Sequence, residues 1–200
     1  LEQPDWVGYL IGGVQMASMF FGLYAGTLVD RFNRKHLFMI NALVGAVVLA
    51  ACGILPYGME KVPIWYIAIA ILTTYFIFTI HYPNLYAFIQ ELFPPAEYGT
   101  ANSAIELQIQ ITRAIGMTLG GLLPSGTLPL MEGEVFTPWS LQEIFILNGG
   151  SYALSIVFIV LIVYTPLTNR SGKRDSLFER VKYGLRFLGK RPAVFVFGVC

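Results

Sequence analysis

Apolar positions in this chain come in long unbroken runs. They show neither the alternation of half-buried strands nor the single stripe of a soluble surface helix. Five runs can be traced, at 6–29, 37–56, 63–90, 98–123 and 144–165. Each is long enough to cross hydrocarbon of about 30 Å, which takes about 20 residues as a helix. A membrane barrel would alternate over about 10 residues at a time, and no such alternation is present. The pattern predicts an all-α polytopic membrane protein.

Composition agrees and adds an orientation. The 200 residues are 56% hydrophobic and only 12% charged, about half the charge of a typical soluble domain, which is ~25%. A net charge of +1 hides a segregation. Arg31, Arg34 and Lys35 occupy the connection at 30–36, and eight Lys or Arg residues crowd 169–192, whereas 125–142 holds Glu132 and Glu134 and no cation. Under the positive-inside rule the loops 30–36 and 168–192 are cytoplasmic, and the four spans between them place them on one side. The turn at 91–98 joins them although it is acidic, because acidic residues weigh little in that rule. A cell-membrane location with several passes is therefore expected, with lipid bilayer as the surrounding partner.

The expected organisation is a transmembrane bundle over 1–167, a cytoplasmic basic linker over 168–192, and the start of a further transmembrane helix at 193–200. In the linker, Leu177, Val181, Leu185 and Leu188 recur at helical spacing, which makes it an amphipathic helix suited to a headgroup surface. The chain opens on Leu1-Glu2-Gln3-Pro4-Asp5 without a signal-peptide pattern and stops within an apolar run, so it reads as a piece of a longer protein. Cys52 and Cys200 lie in separate segments, and nothing suggests a disulfide framework, a metal site or a cofactor. No feature points to nucleic acid.

The segment Gly26-Thr-Leu-Val-Asp30-Arg31-Phe-Asn-Arg34-Lys35 is the richest local signal. Gly26 permits close helix approach. Arg31, Arg34 and Lys35 are expected at a helix C-terminus, where cations complement the dipole. Asn33 is expected to stand in for glycine at a positive φ. Asp30 is at the wrong end of that dipole and calls for a positive partner. The stretch resembles the motif G-x-L-x-D-R-x-G-[RK]-[RK] between the second and third helices of the major facilitator superfamily. Gly26, Leu28, Asp30, Arg31, Arg34 and Lys35 match it, and Asn33 departs from it.

Pro83-Asn-Leu-Tyr-Ala-Phe-Ile-Gln-Glu91, Ala101-Asn102-Ser103, Arg113-Ala-Ile-Gly116 and 184–192 are similar to the bacterial exporter-like branch that includes the enterobactin exporter group. Met117 stands where that branch has proline. The resemblance implies the N-terminal half of a major facilitator fold lacking its first helix, as helices two to six, followed by the amphipathic linker. It also implies that Gly26, Asp30, Arg31, Arg34 and Lys35 form a conformational latch against the missing C-terminal half of the same chain.

Polar residues inside the spans are the remaining candidates. Asn102, Glu106, Gln110 and Arg113 are spaced 4, 4 and 3 apart and share one helical face. Ionisable groups in a span are costly unless they face water or a partner. They fit either a cavity lining, with Glu106 carrying a proton and Arg113 binding an anionic group, or a structural network. Gly116, Gly120 and Gly121 form a small-residue pattern suited to helix packing. His81 lies ~15 Å from the cytoplasmic end of its span at 1.5 Å per residue, beside Pro83, where a kink is expected. It fits a proton relay or an inert hydrogen-bonded site. Glu91 is placed to be solvated or to engage Arg31 or Arg34. Gln15 and Asn41 read as helix–helix hydrogen bonds, and Trp6, Trp65 and Trp139 as an interfacial belt.

No nucleophile–base set is present, and the two histidines, His36 and His81, lie in different segments, so an enzyme is not expected. The expected function is secondary transport by alternating access, with proton-coupled efflux of a small amphiphilic or anionic solute. An uncoupled facilitator, an importer and a non-transporting receptor or scaffold are the alternatives.

Overall fold

The computed structural model describes residues 5–59, 61–127, 136–163 and Arg186. The basic linker apart from Arg186, the segment 193–200, and Glu132 and Glu134 lie outside the described residues. The elements among the described residues run in order α1 (Asp5–Arg31), α2 (Arg34–Ile54), α3 (Ile64–Leu92), a 3₁₀ turn at Pro95–Glu97, α4 (Tyr98–Ser125) and α5 (Leu141–Leu161). Among the described residues α2, α3 and α5 are long and apolar enough to cross a membrane. Polar insertions lower the apolar character of α4, whose 28 residues span ~42 Å at the helical rise.

Local chemistry sets the helix ends. Asn33 caps α2, its Oδ1 accepting from the backbone N–H of Lys35 at 2.9 Å and of His36 at 3.3 Å. Its φ of −63° and ψ of 126° are extended, which corrects the expectation of a positive φ. An N-cap needs extended backbone and a side-chain acceptor, and Asn supplies both. Pro94 and Pro95 follow the end of α3, and α4 stops at Gly126 with φ 67°. Ser140 and Glu143 form a reciprocal capping box at the start of α5. α3 is continuous through Pro83.

In space α3 packs between α1 and α2, and α2 packs between α3 and α5, while α4 touches the bundle chiefly at its first turns against α3. Leu49, Cys52, Tyr66 and Ala70 are the buried centre, with Phe145 and Tyr152 of α5 packed on it. Phe21 of α1 meets Phe76 of α3 edge-on at 5.4 Å. Large apolar side chains such as Ile40, Val47, Leu154 and Leu161 remain exposed on the outer faces. Helices that are apolar all round fit a lipid surrounding.

Among the described residues the closest helix approach lies between α2 and α5. A Cβ at Gly149 would stand 2.7 Å from the Ala50 nitrogen, one at Gly53 2.6 Å from the Gln142 carbonyl, and one at Gly45 2.8 Å from the Tyr152 ring. Gln142 also donates to the Met59 carbonyl at 3.4 Å, holding the start of α5 to the turn after α2. The glycines singled out from sequence behave differently. Nothing among the described residues comes within 4 Å of a Cβ at Gly116, Gly120 or Gly121, because α4 diverges from the bundle after its first turns.

Candidate functional site: the charged connection and the polar face of α4

The connection between α1 and α2 is shorter than a loop. Arg31 ends α1, Arg34 begins α2, and Phe32 and Asn33 alone lie between them. The expectation that all three cations sit at a helix C-terminus therefore needs correction. Arg31 does, and its guanidinium lies 5.8 Å from the centre of the Phe32 ring. Arg34 and Lys35 instead occupy the first turn of α2, where the positive dipole end disfavours cations. Each must find negative charge on another helix.

Arg34 finds it on α3. Its Nη1 is 3.0 Å from the Glu91 Oε1, with side chains only 13% and 7% exposed. The same nitrogen donates to the Ala87 carbonyl. Asn84, fully buried one turn earlier, donates through Nδ2 to the Arg34 carbonyl at 2.9 Å. Glu91 sits in the last turn of α3, the negative dipole end, where an anion is disfavoured. Two charges at unfavourable ends of antiparallel helices thus neutralise one another. Of the two partners open to Glu91 from sequence, the structure selects Arg34.

Lys35 finds its partners on α5. Its Nζ donates to the carbonyls of Val160 at 3.0 Å and Ile162 at 2.8 Å. These belong to the end of α5, where carbonyls lack intrahelical donors. One residue pair, Arg34 and Lys35, therefore ties the start of α2 to the ends of both neighbours. Asp30 is exposed beside it at the end of α1, and Gly26 is exposed with open space around its Cα.

The other candidates do not join this cluster. Asn102, Glu106, Gln110 and Arg113 are all exposed on α4. The packed edge of that helix carries Tyr98, Ala101, Ile105 and the buried Ile109, and the polar face runs alongside it. Glu106 and Arg113 are ~10 Å apart along the axis, and no hydrogen bond or ion pair joins them among the described residues. His81 lies on the other side of α3. It packs edge-on against Phe38 at 5.4 Å and Tyr82 at 5.6 Å, in the wall of a cavity of about 440 Å³ between α2, α3 and α5. Asn41 is buried and donates to the Ile77 carbonyl at 3.4 Å, a helix–helix bond of the kind expected. Gln15 is exposed on α1. No group of residues that could hold a metal ion occurs among the described residues.

Sequence reading missed two features. The α2–α5 glycine contact had a signal, since Ala42, Gly45, Ala46, Ala50 and Gly53 keep one helical face small. The bond from Lys35 to α5 had none, because its acceptors are backbone carbonyls.

An α-helical bundle with lipid-type faces and a two-residue connection flanked by charges defines a multi-pass membrane protein. The chain belongs to the Major Facilitator Superfamily, whose profile it matches over residues 3–200. It is 22% identical over 174 residues to an uncharacterised MFS-type transporter, YfiS, of Bacillus subtilis strain 168. That match covers 86% of this chain and 37% of the relative, so the chain spans well under half of the relative's length. No solved structure matches the chain.

Proposed function

We propose that the chain is part of a secondary transporter that moves a small amphiphilic or anionic solute outward by alternating access, in exchange for protons. The observation that carries this reading is the double tie of Arg34 and Lys35. By fastening the cytoplasmic ends of α2, α3 and α5 together, it makes them one rigid body. Alternating access by rocking requires such a body. Asp30, exposed at the end of α1, is the acidic member of the proposed latch toward the C-terminal half.

The polar face of α4 supplies the solute side of the proposal. Glu106 and Arg113 are exposed beside the packed edge of α4, which suits a lining shared with helices beyond this half. Glu106 is assigned the proton and Arg113 the anionic group, with Asn102 and Gln110 as hydrogen-bonding neighbours. His81, set in an aromatic wall, is the second proton candidate. The exporter-like branch rests on the residues quoted above, and location in the cell membrane with 30–36, 91–98 and 168–192 cytoplasmic rests on charge bias.

The test is efflux from proteoliposomes with and without a proton gradient. Transport that collapses with the gradient supports exchange. Transport that persists undiminished rejects it and leaves a facilitator.

A further inference from the structure

The cavity between α2, α3 and α5 is not on the polar face of α4, and of its walls only His81 enters the transport proposal. Phe38, His81, Phe88, Tyr152, Phe158 and Ile162 are among its walls, which are mostly apolar. Three observations decide what it suits. It follows α3 from Ile77 to Phe88, ~16 Å at the helical rise, a length that matches a lipid chain better than a compact solute. It opens sideways, since Phe158 in its wall is 61% exposed on the outer face of α5. It ends at Ile162, whose carbonyl holds the Lys35 ammonium at 2.8 Å.

An ammonium has three N–H donors, and the two carbonyls of α5 use two of them. Among the described residues the third meets no acceptor, and it can serve one outside the bundle beside Ile162. His81 is held edge-on between two aromatic rings, so it serves this wall as a packed surface.

We propose that this groove binds one acyl chain of an anionic phospholipid, with the phosphate held by Lys35. Apolar length, lateral opening and a cation at one end together specify an amphiphile that enters from the bilayer. Basic sites between transmembrane helices recognise anionic headgroups in this way. Occupancy would couple lipid charge to the Lys35 tie between α2 and α5. The proposal depends on the chain spanning a membrane and is independent of what, if anything, it transports.

The test uses the full chain in phosphatidylcholine nanodiscs doped with phosphatidylglycerol carrying a photoreactive diazirine on one acyl chain. After irradiation, adducts are mapped by peptide mass spectrometry. The proposal expects adducts concentrated on Tyr152, Ser155 and Phe158 rather than on Leu147 and Val157, which are exposed outside the groove. Filling the groove with Ser151→Trp should remove that preference. The anionic probe should label the groove about fivefold more than a phosphatidylcholine probe, the worth of one cation near an anionic surface. Lys35→Gln should bring that ratio to near one.

Uniform labelling along α5, or a headgroup ratio unchanged in Lys35→Gln, would overturn the proposal. So would an intermolecular crosslink showing a second copy in the groove. If either variant fails to give a monodisperse protein, competition on the wild type by unlabelled phosphatidylglycerol against phosphatidylcholine reads the same preference. Equal competition by the two lipids rejects the assignment of the phosphate to Lys35.

Discussion

Arg34 and Glu91 stand 3.0 Å apart, each at the end of its own helix where the dipole disfavours its charge. The pair resolves two local conflicts at once, which neither helix could do alone. It also fixes the antiparallel register of α2 against α3 at that end.

The first prediction concerns that pair. Glu91→Ala leaves the guanidinium of Arg34 mostly buried without its carboxylate, and breaking such a pair costs about 3 kcal/mol. Glu91→Gln keeps a hydrogen-bond acceptor and should lose less. Thermal unfolding in detergent, followed by size-exclusion or tryptophan fluorescence, ranks wild type above Glu91→Gln above Glu91→Ala.

A second prediction separates Lys35 from Arg34. Lys35→Met removes the donors to Val160 and Ile162. The loss should be local, about 1.5 kcal/mol per hydrogen bond, the low end for a charged donor because the site is partly exposed. Hydrogen exchange should speed up in the last turn of α5 and stay unchanged in α3. Equal acceleration in both helices would contradict the division of labour between the two cations.

The glycines give opposite expectations. Gly149→Val and Gly53→Val place carbon against backbone atoms of the facing helix, and overpacking of this kind costs about 1–3 kcal/mol. Gly120→Ala meets nothing among the described residues and should gain about 0.5–1 kcal/mol from helix propensity. A loss of stability at Gly120→Ala would show instead that a further helix packs there, as the small-residue pattern at Gly116, Gly120 and Gly121 suggests.

Asp30→Asn tests the latch. Asp30 is exposed at the end of α1, and Asn keeps its size and a hydrogen-bonding oxygen, so the variant should fold nearly as well as the wild type. Transport rate should nevertheless fall while the melting temperature holds. A variant that transports at the wild-type rate would remove Asp30 from the mechanism.

Glu106→Gln and Arg113→Ala separate proton from solute. In proteoliposomes, Glu106→Gln should abolish the response to a proton gradient while leaving solute binding. Arg113→Ala should weaken binding of an anionic solute by about tenfold or more, the loss of one charged hydrogen bond of ~1.5–3 kcal/mol. Unchanged affinity and rate in Arg113→Ala would reject its cavity role.

The helices were legible in the sequence because runs of apolar residues and their turn signals are local. α2 begins at Arg34 rather than at 37, since Asn33 caps it and charged residues can occupy a helix once their partners are supplied. The misplaced expectation at Asn33 has the same origin. Asn serves both left-handed turns and N-caps, and the choice depends on where the next helix starts. The glycine contact and the Lys35 tie were harder to see, since which apolar face meets which neighbour is invisible in composition.

The sequence by itself determined the solvent, the helical class and the superfamily, because each follows from run length, charge segregation and one spaced motif. Tertiary structure decided which helix each cation serves. Arg34 goes to Glu91 on α3 and Lys35 to the open carbonyls of α5, partners that only the packing of α2 between those two helices brings within bonding distance.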